Sequence, residues 1–351
     1  MRLVQTMEVR AMTQHLDEIP RIALDWVQSG RRIALATVIQ TWGSAPRPVG
    51  SQLVISDEAQ MMGSVSGGCV EGAVVEEALA ALEDGQPRVL TYGVSDDDAF
   101  AVGLACGGTI RILVEPVGGE NGLDEALLRV LVEARASGRA LTCVTSLHDW
   151  SRVLLDGSAG TPLGLHVRDA IASDRSAIVT VEGEEWFIAV HNPPLRLFIV
   201  GAVHIAQPLS QMAQMLGYAV TVIDPREAFA STERFPTVEL KHEWPDDALR
   251  EARPDGRSAI VTLTHDPKLD DPAIVAALGM DVFYLGCLGS TRTHAKRVTR
   301  LQAAGFSPDA ISRIHAPVGA DIGAKSPAEI AVSILAQITE RLRRVETRPG
   351  R

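Results

Sequence analysis

The chain is poor in cysteine. Its 351 residues include four, at positions 69, 106, 143 and 287, and no two form a C-x-x-C pair. That spacing excludes a zinc ribbon, a thioredoxin-type redox pair and a disulfide framework. There is no basic tract and no aromatic stripe for stacking bases, and the net charge is −11. Nonspecific nucleic-acid binding is thereby excluded. No apolar run is long enough to span a bilayer, and the opening MRLVQTMEVRAM lacks the apolar core of a signal peptide. The expectation is a protein of the reducing cytoplasm, away from membranes. What is present is ordinary for a soluble globular protein, 46% hydrophobic and 22% charged, with a length that suggests two domains.

The most informative stretch runs from Thr41 to Glu77. Its centre is Ser66-Gly67-Gly68-Cys69-Val70-Glu71, a glycine pair followed by a thiol and a carboxylate. Glycines remove side chains where a backbone must bend or let a ligand approach. A helical period follows, with Val70, Val74, Ala78 and Leu79 on one side and Glu71, Glu76 and Glu77 largely on the other. This reading puts Cys69 in the first helical turn, where unpaired N–H groups favour thiolate over thiol. Glu71 opposes that effect if it is close and ionised. The competing reading is a small buried cysteine at a helix start.

Upstream, Arg47 stands between two prolines that restrict the backbone around it. It suits a bidentate grip on phosphate or an ordinary surface salt bridge. Downstream, Cys106-Gly107-Gly108 precedes a strand, and Ser95 to Asp98 reads as a solvated acidic turn without metal-loop spacing.

Coarse periodicity predicts a helix over 13–29, divided at Pro20, and strands at 32–40, 52–56, 61–65, 88–92 and 109–116. Helices are expected at about 69–82 and 123–136, then strands and turns from 141 to 190. Asn192-Pro193-Pro194 is a rigid break, so the expected domains are 1–192 and 193–351. The first is mixed α/β. The second alternates strand and helix, which implies a Rossmann-like, doubly wound parallel sheet. Its last helix opens with a capping box, Ser326 and Glu329, and Pro327 at the first position.

The first turn of that second domain is Gly201-Ala202-Val203-His204-Ile205-Ala206. The G-x-G-x-x-G/A pattern keeps Gly201 and a permitted final alanine, but Val203 replaces the glycine whose backbone would touch a pyrophosphate. Asp224 ends the next strand, where an acid can bind ribose hydroxyls. Thr264-His265-Asp266 and the Gly286–Arg292 segment also fall at strand ends. The second of these suits an anion nest, with Ser290 and Arg292 at a helix entrance. Cys287 reads as a core residue.

Taken together, GSAPRPVGSQLVIS, GSVSGGCVEGAVVEEAL and GLACGGTIRILVEPV resemble the N-terminal domain of the XdhC family of xanthine dehydrogenase accessory proteins. LFIVGAVHIAQPL, TLTHDPKLDDPAI, YLGCLGSTRTHAKRV and HAPVGADIGAKSPAEIAVSILAQI resemble its Rossmann domain. The resemblance covers roughly residues 32–343. It implies a chaperone without turnover of its own. Such a protein binds the molybdenum cofactor (molybdopterin or its dinucleotide form) and favours the sulfurated form together with a cysteine desulfurase. It then delivers the cofactor to a xanthine dehydrogenase-type molybdenum hydroxylase, and the family suggests a homodimer. By motif, Cys69 and Cys106 are the candidate cofactor-contacting thiols, while Gly67, Gly68, Gly107 and Gly108 give close backbone approach. Arg47 would meet the terminal phosphate, with Glu71 in the same loop; Gly201 and Asp224 are the candidates in the second domain. No catalytic residue and no resident metal ligand is assigned. Two other readings stand beside it: an NAD(P)-dependent oxidoreductase using His204 or His265 as acid/base, and a redox or persulfide-carrying enzyme with Cys69 as nucleophile.

Overall fold

The computed structural model describes residues 18–43, 47–93 and 108–344. Residues 1–17, the acidic turn Ser95 to Asp98, and Cys106 with Gly107 lie outside them. Two compact units divide the chain, Met1–Pro193 and Pro194–Arg351.

The first unit begins with α1 (Ile19–Gln28), where Pro20 sits in the first turn and divides nothing. Proline lacks only an N–H that the first turn leaves unused. Then come β1 (Ile33–Trp42), β2 (Gln52–Ser56), β3 (Met61–Gly63), α2 (Glu71–Asp84), β4 (Arg88–Tyr92) and β5 (Thr109–Pro116). These strands form an antiparallel sheet in the order β3-β2-β1-β5-β4. Its central strand is apolar on both faces. Ala34, Ala36 and Val38 pack with Val74, Ala78 and Ala81 of α2. Ile33 and Leu35 point the other way, toward Ala23 and Leu24 of α1 and toward Leu128 and Leu131 of the next helix, α3 (Glu125–Ala136). Strand alternation with period two produces both contacts from one segment.

A second antiparallel sheet, β7-β6-β9-β8, is built from β6 (Leu141–Ser146), β7 (Arg152–Leu155), β8 (Ala177–Val181) and β9 (Glu184–His191). A helix, α4 (Pro162–Ser173), lies within the stretch expected to hold only strands and turns. Its start was readable: Thr161 caps it by accepting from the Gly164 amide at 3.1 Å, and Pro162 follows. A buried ion pair ties the sheets together. Arg152 on β7 donates to Glu115 on β5 at 3.0 and 2.6 Å, and its remaining nitrogen serves the carbonyls of Asn121, Gly122 and Trp150.

The second unit contains β10 (Arg196–Val200), α5 (Ala206–Met215), β11 (Ala219–Ile223), β12 (Glu239–Lys241), α6 (Pro245–Ala252), β13 (Ser258–Thr262) and α7 (Pro267–Leu278). It continues with β14 (Tyr284–Cys287), α8 (Thr291–Ala303), α9 (Pro308–Ser312), β15 (Ile314–His315) and α10 (Pro327–Arg344). All strands pair in parallel, in the order β12-β11-β10-β13-β14-β15. Numbered within the unit this is 3-2-1-4-5-6, the order of a dinucleotide-type Rossmann sheet. LFIV, AIVT and the neighbouring runs are buried on both faces, as parallel strands covered by helices must be. The capping box forms: Ser326 N donates to Glu329 at 2.8 Å, and Glu329 N donates to Ser326 at 3.3 Å. Helix α7 starts at Pro267, where Asp266 caps it by accepting from the Lys268 amide at 2.9 Å.

The Glu115–Arg152 pair makes a direct test of this architecture. Arg152→Ala leaves a buried carboxylate uncompensated and is expected to lower unfolding stability by about 3–5 kcal/mol. Removing both partners, Arg152→Met with Glu115→Leu, is expected to cost clearly less, as read from urea-unfolding midpoints.

Candidate functional site

Strand pairing brings three motif-bearing connections to one end of the first sheet. Trp42, the last residue of β1, pairs with Thr109, the first of β5. Ile110 pairs with Tyr92, the last of β4. Gln52, the first of β2, pairs with Thr37, and its neighbour Leu53 pairs with Gly63, the last of β3. Alternating antiparallel directions therefore aim the β1–β2, β3–α2 and β4–β5 connections the same way. They carry Arg47, the Ser66–Glu71 stretch and Cys106 to Gly108 respectively.

Packing supports the convergence. Val49 from the first connection, Cys69 from the second and Tyr92 beside the third all rest against one apolar cluster, which includes Val70 and Ile110. Cys106 and Gly107 lie outside the described residues; Gly108 is the described end of that stretch. A Cβ at Gly93 would stand 3.1 Å from Thr109 Oγ1, so the two ends of the β4–β5 connection are adjacent.

The centre of the site is the Glu71 carboxylate, which is 8% exposed. Its Oε1 accepts from the amides of Val65, Ser66 and Gly67 at 3.3, 2.9 and 3.0 Å, and from Ser64 Oγ at 2.9 Å. Its Oε2 accepts from Gly68 N at 2.8 Å and from the Ser66 hydroxyl. Ser66 Oγ accepts in turn from Cys69 N and Val70 N, both at 3.1 Å. Six successive amides, Val65 through Val70, are thus satisfied within the loop. Wrapping a carboxylate this tightly demands left-handed backbone at Gly67 (φ 87°) and Gly68 (φ 118°).

This changes the role read from sequence. The amides of the glycine turn, read as a place for close ligand approach, are taken up by Glu71. Helix α2 begins at Glu71 with Val70 as its cap, so Cys69 precedes the helix and is not in its first turn. The carboxylate also sits at the helix's positive end, where a negative charge is stabilised. Burial pushes Glu71 up, but the Ser66 hydroxyl and amide and the Ser64 hydroxyl outweigh it and hold the group at about 2. The hydroxyls of Ser64 and Ser66 were missed in the sequence; the signal was a pair of serines just upstream of an acid in a first turn.

Cys69 itself is half-buried. Among the described residues, none beyond its chain neighbours comes within 4 Å of a Cβ built on Gly68, so the backbone beside the thiol is clear of them on that side. Arg47 is half-buried and makes no hydrogen bond or ion pair to a described residue. The two remaining described thiols are core residues. Burial pushes Cys143 up to about 12 and Cys287 up to about 11, and Cys287 is fully inaccessible as expected.

In the second unit, Gly201 has φ 103°, and a Cβ there would meet Thr264 Cγ2 at 2.4 Å. Packing between neighbouring strand ends therefore requires this glycine, with or without a ligand. Val203 packs against the core. Asp224 is fully buried and engaged: Arg226 donates to it at 2.8 and 2.7 Å, and the amides of Ala202 and Arg226 donate at 2.9 and 3.0 Å. A ribose diol would have to displace Arg226 to reach it. His204 and His265 are both exposed.

Comparison with known proteins agrees with the motifs. The family model of the XdhC Rossmann domain matches residues 197–338, and that of the XdhC and CoxI family matches residues 26–93. The molybdenum cofactor insertion chaperone PaoD of Escherichia coli is 30% identical over 324 residues, which is 91% of this chain and 86% of PaoD. The chain belongs to the XdhC and CoxI family. Another similar protein, a probable xanthine dehydrogenase subunit from Bacillus subtilis, is 29% identical over 89% of this chain and 93% of its own. The crystal structure of a xanthine dehydrogenase from Bacillus halodurans superposes with a TM-score of 0.74 at 25% identity, covering 94% of this chain and 97% of that one.

Glu71 gives the site a defined acid response. Its group lies near 4.5 when free and about 2 when folded, so the stabilisation is complete above about 4.5 and is lost as pH falls toward 2. Glu71→Ala leaves buried amides unpaired and is expected to cost about 2–3 kcal/mol at neutral pH. In urea titrations from pH 5 to pH 2, the difference between the native chain and Glu71→Ala should shrink steadily.

Proposed function

We propose that this chain is a molybdenum cofactor insertion chaperone that serves a xanthine dehydrogenase-type molybdenum hydroxylase. The observation that carries the reading is that the strands bearing the three motif connections direct them the same way from the sheet, with a half-buried thiol in the second. The cofactor is cargo. Molybdenum with its sulfur ligands is a soft partner, and thiolates suit it. Cys69 and Cys106 are the proposed contacts. The open side of Gly68 allows backbone approach, and Arg47, the only lysine or arginine in the three connections, meets the pterin phosphate.

Glu71 enters this scheme as the scaffold that shapes the thiol loop. Because its ligands are internal to the chain, the loop keeps its form when cargo leaves, as a carrier requires. Support for the sulfurated state together with a cysteine desulfurase, a homodimeric assembly and a cytoplasmic location belong to the same proposal. No helix among the described residues is long and apolar enough to cross a membrane. The NAD(P) oxidoreductase reading draws on the 3-2-1-4-5-6 sheet order. Val203 and the Arg226-engaged Asp224 weigh against it.

Purified from a host that makes the cofactor, the protein is expected to carry close to one pterin per chain by mass spectrometry. Cys69→Ala and Cys106→Ala should each lower that content several-fold while the fold is retained; undiminished pterin in both variants would remove the thiols from the site. Titration with NADH or NADPH to millimolar concentration should produce no binding signal in fluorescence, and saturable binding would restore the dehydrogenase reading.

A further inference from the structure

A cleft of about 510 Å³ lies in the second unit, between the first turns of α7 and the length of α8 from Arg292 to Arg300. Its lining includes His265 and Pro267, just past the carboxyl end of β13, the edge where doubly wound sheets place ligands. The protein carries a net charge of −11, yet this cleft is lined by Arg292, Lys296, Arg297 and Arg300. Three of them, at 292, 296 and 300, recur every four residues and so form one stripe on α8.

The carboxylates nearby offset only part of this charge, leaving Arg292 and Lys296. Asp271 is committed to Arg300 through bonds of 2.5 and 2.9 Å. Asp270 Oδ1 accepts from the Thr264 hydroxyl at 2.6 Å, while its Oδ2 faces Arg297 at 3.8 Å, a buried ion pair too long for a hydrogen bond. Arg292 and Lys296 are exposed and make no ion pair with a described residue. Like charges one turn apart repel, so the stripe costs stability where nothing offsets it.

A second observation points to a ligand. Arg297 is 2% exposed and lines the cleft, yet only one of its guanidinium nitrogens is used, donating to the Leu288 carbonyl at 3.1 Å. Its Nε and Nη1 have no hydrogen-bond partner. A buried guanidinium left two-thirds unpaired is costly, and an anion or its attendant water relieves that cost. The first turn of α8 contains no acid; Ser290 caps it by accepting from the Thr293 amide at 3.2 Å, and Arg292 and Thr293 of that turn line the cleft.

We infer that this cleft is a binding site for an organic phosphate, with Arg292 and Lys296 holding the phosphate at the entrance to α8. The volume exceeds that of a phosphate group alone and falls in the range of small-molecule sites, so the rest of the ligand occupies the remainder. The site uses none of the dinucleotide fingerprint at Gly201 to Ala206, and it stands whether or not the first unit carries a pterin. A nucleoside diphosphate and the phosphate monoester of a larger heterocycle share the recognised chemistry.

The test is calorimetric titration of the full chain at low salt with inorganic phosphate, pyrophosphate and cytidine diphosphate. Saturable binding of pyrophosphate is expected, weakening as salt rises. Arg292→Gln and Lys296→Gln, both at exposed positions that leave the fold intact, should each weaken it roughly tenfold or more, the size of one lost charge-assisted hydrogen bond. Cytidine diphosphate binding more tightly than pyrophosphate would identify the ligand as a nucleotide; equal affinity would identify a ligand recognised through its phosphate end. No heat with any probe at ten millimolar, or affinity unchanged in the double variant, overturns the inference. Circular dichroism of each variant separates lost binding from lost structure.

Discussion

The first unit's site depends on one buried carboxylate. Glu71 collects four backbone amides and two hydroxyls, and Ser66 passes the arrangement on to two further amides. Without that anion, consecutive N–H groups would converge on empty space, and the two positive-φ glycines would have nothing to curve around. The charge is inside the chain, so the loop's form precedes any cargo. The same interaction starts α2, whose apolar face of Val74, Ala78 and Ala81 then covers the sheet. One side chain links loop shape, helix start and core packing.

The two units handle anions in different ways. In the first, an internal acid fills an amide-lined turn. In the second, cations of α8 line a cleft that runs from a serine-capped helix start. The Rossmann turn at Gly201 belongs to neither case. Its glycine is demanded by Thr264, its central position is a packed valine, and the acid on the next strand is held by Arg226. A sheet with dinucleotide order has here been closed at its first turn and left open two strands further along.

Much of the architecture was legible in the chain. Parallel strands buried on both faces read as unbroken apolar runs between helical stretches, so the Rossmann-like character of the second half stood out. The Ser326/Glu329 box forms as its spacing requires. Local signals of this kind survive because they depend on neighbours three or four residues away. α4 was missed because its mixed pattern between two strands outweighed a readable Thr-Pro start. β12 and β15 are short, and their pairing partners supply what their own residues do not.

By itself the sequence determined the family, the Rossmann-like half and the motifs in which chemistry concentrates, since each is written in contiguous residues. Only the tertiary structure decided what those motifs touch. Strand direction placed the Arg47, Cys69 and Gly108 stretches at one end, while burial assigned Glu71 to its own loop and Asp224 to Arg226. The placing of α7 beside α8 made a cleft along cations that look like an ordinary solvated helix face in the linear chain. Even a partner close in sequence is set by how the backbone turns between the two residues, and spacing alone does not record that turn.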